Sequence, residues 1–387
     1  MSQNYYDFDD YLDEPLLLRS SSSSTSPSKF KHSKKYLVLF AVMLTIFLLQ
    51  MSLFKKSYQT EVPKFVENPK FLGAKNIAEC VREYNKIIDF NTPENVDKVY
   101  PHHIKVLGAL GDSITAGALS MIDDTRHVEF SFISGNEPIE KQISIYSILQ
   151  HLRPENSTLL NYNFAQPGAT SEDLMRQATY LASKIETRKQ DWKIITIFIG
   201  TNDVGNLGLG FAPPIGSEKF RKNIENCLDY IEQMLPNTIV MLIGLPKPQL
   251  FLEARSLWIE NKRARSKSSQ KALDDLLESY QKVLYDLQEK YSKDRKKFSV
   301  VVQPFITEYN IIFTDDKGKP SKIFYSDDIF HPSKLGHSIM AKHLWINIFE
   351  PVGKKTTNAT LGDFSHSIQC ISKDNSLIRT PNNSFNK

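Results

Sequence analysis

Cysteine is scarce in this chain, and what there is excludes two common frameworks. Three cysteines in 387 residues, Cys80, Cys227 and Cys370, fit neither the spacing of a zinc site nor a dense disulfide scaffold. One disulfide with one cysteine left over stays open, and the sequence does not say which two would pair. A dominant charge is lacking as well. The 48 Lys and Arg against 44 Asp and Glu leave a formal net charge of +4. That is a mixed surface without the concentrated basic face that nucleic acid requires, so no nucleic-acid partner is expected. No HExxH segment or other metal-ligand cluster is present, so no metal and no cofactor is expected. No internal repeat is visible.

What the chain does have is apolar content, 41% of its residues, enough to bury a sizeable core. The first 35 residues contribute little to it. They hold an acidic start (Tyr5 to Glu14), the run Ser20 to Ser24 and a basic patch at Lys29, Lys31, Lys34 and Lys35, a composition that predicts a disordered cytoplasmic tail. Residues 36–54, YLVLFAVMLTIFLLQMSLF, carry no charge. As a helix they would reach about 28 Å, close to the ~30 Å of a hydrocarbon layer, so a transmembrane signal-anchor helix is expected there. A buried helix and a cleaved signal peptide are the rivals; Lys55 and Lys56 stand where cleavage residues should be. Four lysines before the segment and two after it orient the N-terminus to the cytoplasm. A single-pass type II membrane protein follows, with the rest lumenal or extracellular. Sequons at Asn156, Asn358 and Asn382 lie on that side. Asp13-Glu14-Pro15-Leu16-Leu17-Leu18 resembles an acidic dileucine signal, which would send the protein to endosomes, lysosomes or a vacuole.

Beyond a linker and lead-in at 55–100, with a short helix around Ala78 to Ile88, strand and helix patterns alternate from 101 to 350. Strands are expected at Ile104–Leu110, near Phe164, at Ile194–Ile199, Thr238–Leu245 and Ser299–Gln303. Helices are expected from Thr170 or Ser171, and over Glu218–Met234, Ser268–Tyr291 and Lys334–Phe349. The runs IITIFI and TIVMLIGL are apolar at nearly every position, as in strands covered on both faces. The pattern predicts a three-layer α/β/α sandwich with a mainly parallel central sheet, preceded by the transmembrane helix. Its loops after the strands would share one edge, where such folds place ligands. From Pro351 to the end the periodicity is lost, and 351–387 read as a loose tail, with Cys370 as a candidate tether.

Four loops stand where a strand hands over. Gly111-Asp112-Ser113 can present a hydroxyl at the start of a helix, although alone it is a common turn signal. In Asp328-Ile329-Phe330-His331-Pro332 the carboxylate, three residues before the imidazole, can fix its tautomer while the other nitrogen faces Ser113; alone, this too is a capped turn with a surface histidine. Gly168, in Asn163-Phe164-Ala165-Gln166-Pro167-Gly168, can offer a backbone N–H, and Asn202, in Gly200-Thr201-Asn202-Asp203, a side-chain amide, to an oxyanion; each is otherwise an ordinary glycine turn.

Taken in order, "ALGDSITAG", "NFAQPGATSEDL", "WKIITIFIGTNDVGN" and "IFHPSKLGH" resemble the SGNH (GDSL-type) hydrolase superfamily, and most its phospholipase B branch, over about residues 104 to 345. The resemblance implies Ser113 as nucleophile, His331 as general base and then acid, Asp328 as its orienting carboxylate, and an oxyanion held by the N–H groups of Ser113 and Gly168 with the Asn202 side chain. Asp112 and Asn163 would support those loops. It further implies a serine esterase working through an acyl-enzyme on phospholipids or lysophospholipids, without a metal. A carbohydrate or other small-molecule acyl esterase uses the same groups, and a non-catalytic binding ectodomain is a third reading. The chain departs from the branch at Val204 and Gly205, where Leu and Cys are usual, so the disulfide pattern of the branch is not expected to carry over.

Overall fold

The computed structural model describes residues 72–385, apart from 121–125, 155–156, 205–212, 248–266, 309–318, 322 and 361–362. The chain divides into Met1–Val66 and Glu67–Lys387, and all described residues belong to the second unit.

Four short, largely apolar runs and one polar one, Leu160–Asn163, become strands: β1 Val106–Gly111, β2 Leu160–Asn163, β3 Lys193–Phe198, β4 Thr238–Ile243 and β5 Phe298–Gln303. They form one sheet in the order β2-β1-β3-β4-β5, with every ladder parallel. Every residue of β1, β3, β4 and β5 is buried, whereas β2, at the edge, is only partly so. That is why the central runs lack alternation: with helices on both faces, neither side of a strand meets water.

The helices are α1 Ile77–Asn85, α2 Ile145–His151, α3 Leu174–Lys184, α4 Ser217–Met234, α5 Lys267–Lys290, α6 Lys334–Phe349 and α7 Pro381–Phe385. In α4 the buried residues Phe220, Ile224, Cys227, Leu228 and Ile231 recur at the helical period. Phe220 stacks on Tyr280 of α5 with ring centroids 3.9 Å apart. Helices α3, α4 and α5 pack in succession and rest on β1 and β5, while α1, α2 and α6 form a second series that also reaches β5. The chain steps from β1 outward to β2 and then back across to β3. Right-handed crossovers therefore put α2 on the opposite face from α3, α4 and α5, giving three layers. The reversal leaves a crevice at the carboxyl ends of β1 and β3.

Helix α6 is buried nearly all round because the segment after Pro351, although aperiodic, is packed against it. Lys342 Nζ donates to the Ser365 carbonyl at 2.8 Å, and Trp345 Nε1 to the Gln369 carbonyl at 2.9 Å. Ile368, Ile371 and Ile378 are buried. A Cys80–Cys370 disulfide joins this segment to α1 across 290 residues, and Cys227 is free and buried. Closing so long a loop removes chain entropy worth a few kcal/mol from the unfolded state.

The membrane-spanning expectation is corrected. Among the described residues no helix is long and apolar enough to cross a membrane, and residues 36–54 lie outside them, as does the dileucine pattern. The parallel α/β sheet stands without the helix expected to precede it. Membrane attachment through 36–54, the type II topology and the compartment deduced from it are withdrawn. The physical reason is that hydropathy is necessary for a span but not specific to one, since signal peptides and packed helices carry similar runs.

Candidate active site

The site is built at the crevice, from the turn after β1. Gly111 ends that strand at φ +155°, and a Cβ there would lie 2.3 Å from the Phe198 carbonyl oxygen, so only glycine lets β1 and β3 approach so closely. The fully buried Gln177 of α3 grips the main chain of Gly111 from both sides, accepting its N–H at 2.8 Å and donating to its carbonyl at 2.9 Å. Ser113, two residues on, is 8% exposed.

The loop before α6 brings the imidazole to it. His331 Nε2 lies 2.8 Å from Ser113 Oγ, and its Nδ1 lies 2.6 Å from Asp328 Oδ2. The other carboxylate oxygen, Asp328 Oδ1, accepts from Ser326 Oγ at 2.7 Å and from the N–H groups of Phe330 and His331 at 3.0 and 2.9 Å. Burial opposes the charge on Asp328, but the imidazole and these donors outweigh it and hold the carboxyl well below its ordinary range. Ile329 sits between the two residues at φ +54°, a backbone region that β-branched residues avoid at a cost of about 1–3 kcal/mol. Its side chain is 1% exposed, and the Ser326 N–H bonds the His331 carbonyl at 2.8 Å, so packing and the turn hold it there. Ser333 then caps α6, accepting the Gly336 N–H at 3.1 Å.

The two remaining loops are tied to each other and to the Ser113 turn. Asn163 donates to the Thr115 carbonyl at 2.8 Å and to Ser134 Oγ at 2.7 Å. Gly168 takes φ +77°, with open space where a Cβ would stand. Asn202 Nδ2 donates to the Ala169 carbonyl at 2.9 Å, leaving its second amide hydrogen. Among the described residues, neither the Ser113 N–H nor the Gly168 N–H makes a hydrogen bond to protein. Two backbone donors at the crevice thus have room for an acceptor that is not part of the fold.

Sequence reasoning left some participants without a role. Asp203, 1% exposed, accepts the Ser171 N–H with both oxygens, at 3.0 and 2.9 Å, clipping the Asn202 loop to the Gly168 loop. Burial raises its pKa to about 6 against the pull of those donors. Burial likewise pushes Asp112 up to about 7, opposed by the Ile114 N–H and by His331, and reinforced by the charge of Asp203. Its Oδ2 has no hydrogen-bond partner within 3.5 Å among the described residues, although the Thr201 hydroxyl also pulls its pKa down. For Asp203 adjacency to Asn202 was the available signal, since carboxylates beside reacting groups seldom sit there unpaired, whereas Asp112 was already expected as a support of its loop. Nothing in the chain pointed to Gln177.

The model of the GDSL-like Lipase/Acylhydrolase family matches residues 107–344. The rat protein "Phospholipase B1, membrane-associated" is 29% identical over 325 residues, covering 76% of this chain. Its human counterpart is 28% identical over 327 residues, with the same 76% covered. The chain spans only 22% of the length of these curated relatives. A solved GDSL-like lipase from Bacteroides thetaiotaomicron is 16% identical, covering 69% of this chain and 93% of that one, with a TM-score of 0.33. The family match runs from β1 into α6 and takes in all four loops of the crevice; the chain belongs to the GDSL-like lipase/acylhydrolase family and is a serine hydrolase acting on carboxylic esters.

Proposed function

We propose that this hydrolase cleaves fatty-acyl esters of phospholipids or lysophospholipids, with Ser113 as nucleophile, His331 as base and acid, and Asp328 as its orienting carboxylate. The observation that carries the reading is the hydrogen-bonded series Ser113 Oγ, His331 Nε2, His331 Nδ1 and Asp328 Oδ2, at 2.8 and 2.6 Å. Ser113 Oγ attacks the ester carbonyl as its proton passes to His331 Nε2. The imidazolium so formed is stabilised by Asp328, which stays ionised, and the tautomer is fixed because Nδ1–H donates to that carboxylate. The carbonyl oxygen, now carrying negative charge, takes hydrogen bonds from the N–H groups of Ser113 and Gly168 and from the second amide hydrogen of Asn202. His331 protonates the departing alcohol, and water repeats the sequence on the acyl-enzyme to release the fatty acid and restore Ser113.

The lipid assignment rests on likeness to relatives named as phospholipases, matched over 76% of this chain at 29% and 28% identity. The test is a substrate panel of lysophosphatidylcholine, diacyl phosphatidylcholine and an acetylated sugar, with Ser113→Ala as control. The expected result is fatty-acid release from one or both lipids and none from the control. Turnover of the acetylated sugar alone would refute the lipid assignment while keeping the esterase.

A further inference from the structure

We propose that Arg126 forms a subsite for the phosphate of the substrate headgroup, beside the ester-cleaving serine. This deepens the phospholipid reading and rests on it. Arg126 is half-buried. Its Nη2 donates to the Asn163 carbonyl at 2.5 Å, and its Nε is buried with no hydrogen-bond partner. Among the described residues no carboxylate pairs with it. Burial lowers its pKa.

Other arginines among the described residues are provided for. Arg188, Arg221 and Arg295 each pair with a carboxylate, Asp191, Asp286 and Glu232 respectively. Arg379 has no carboxylate but spreads its donors over the carbonyls of Phe349, Asn383 and Asp374. A guanidinium has five N–H donors in a planar fork, and taking it out of water without a counter-ion is costly. Arg126 bears that cost with a single bond to the described protein.

Its position says what the fork is for. Asn163, which it touches, ends β2 at the crevice, and the Asn163 side chain bonds the Thr115 carbonyl, two residues from Ser113. The next residue, His127, lies against the same turn: a Cβ on Gly117 would come 2.2 Å from the His127 carbonyl oxygen. The cation is therefore held by the same residue, Asn163, that braces the Ser113 turn. A phospholipid carries its phosphate only a few bonds from the ester carbonyl, and a phosphate matches the fork with two parallel hydrogen bonds. Free phosphate offers the same chemistry, so the two sources must be told apart.

The test compares lysophosphatidylcholine with monooleoylglycerol, esters of one class that differ in the headgroup. In Arg126→Gln, which removes the cation but keeps a polar side chain, the ratio of kcat/KM for the phospholipid to that for the neutral lipid should fall about tenfold or more. An unchanged ratio, or equal loss on both substrates, would make Arg126 a brace for Asn163 and overturn the subsite. Wild-type protein that cleaves monooleoylglycerol and not lysophosphatidylcholine would bring down the phospholipid reading itself, and the subsite with it. A second measurement needs no variant: sn-glycerol 3-phosphate should compete with monooleoylglycerol in the wild type, and more strongly than inorganic phosphate. No competition by glycerol phosphate, or competition by inorganic phosphate alone, would overturn the headgroup assignment.

Discussion

Polar groups are buried at both ends of the β1–β3 pair, and the two ends treat them differently. At the amino end Lys193 is 0% exposed, yet its ammonium donates to the carbonyls of Lys189, Asp191 and Pro236 at 2.8, 2.6 and 2.6 Å. Three donors meet three acceptors, and nothing is left for a ligand. At the carboxyl end, Asp112 keeps a buried oxygen without a partner among the described residues, and beside it the buried Ser113 and the exposed Gly168 have N–H groups that make no hydrogen bond to the described protein. Burial of a polar group does not distinguish a working site from a structural one. Nor does incomplete satisfaction alone, since Gln303 of β5 and Asn347 of α6 also keep buried atoms without a partner among the described residues; what marks the crevice is that its unmet groups gather beside Ser113 and His331.

The comparison can be broken at either end. The largest effect is expected at the crevice. Removing the proposed oxyanion donor by Asn202→Ala should slow kcat about a hundredfold, ~3 kcal/mol, with little change in KM. Turnover close to wild type, measured by fatty-acid release, would take Asn202 out of that role. At the opposite end Lys193→Met strips three carbonyls of their donor and should lower stability by ~2 kcal/mol in urea unfolding, while activity per folded molecule stays as it was. Activity lost without stability would mean that the satisfied end communicates with the crevice.

The smallest effect is a change of slope. Asp112 titrates near 7 in the fold and near 4 when unfolded, so between those values the folded protein holds the extra proton. Its contribution to stability therefore declines as pH rises from about 4 to 7. Asp203, with a pKa of about 6, adds to the decline over the lower part of that window. Asp328 works the other way, losing its stabilising charge only in strong acid. Asp112→Asn should flatten the fall in thermal midpoint from pH 5 to 8. An unaltered slope in that variant would mean that Asp112 is ionised throughout.

The same contrast explains what the sequence could tell. The four buried strands were legible because unbroken β-branched runs have few other uses, and α6 was read to its last residue, Lys334–Phe349. The start of β3 was placed one residue late, at Ile194, because a lysine does not read as buried until its three carbonyls, from two separate loops, are known. Helix α2 went unnoticed: it has seven residues, too few to show a period, and depends on the Ser144 and Ser147 capping box. The packing after Pro351 was invisible, since Ile368, Ile371 and Ile378 lie in extended chain whose only pattern is the surface it covers. So was the pairing of Cys80 with Cys370, which needs the fold before the two thiols become neighbours. The residues of the crevice were legible through their motifs, whereas Asp203 and Gln177, which hold the loops from behind, act through contacts 32 and 66 residues away.

One measurement bears most directly on the central claim that His331 activates Ser113 at the crevice. Intact protein is treated with a fluorophosphonate and the adduct is located by peptide mass spectrometry. The account predicts one modified peptide carrying the label on Ser113 in the wild type, and labelling slowed by orders of magnitude in His331→Ala. An adduct on a different residue, or labelling of Ser113 at the same rate without the imidazole, would contradict it.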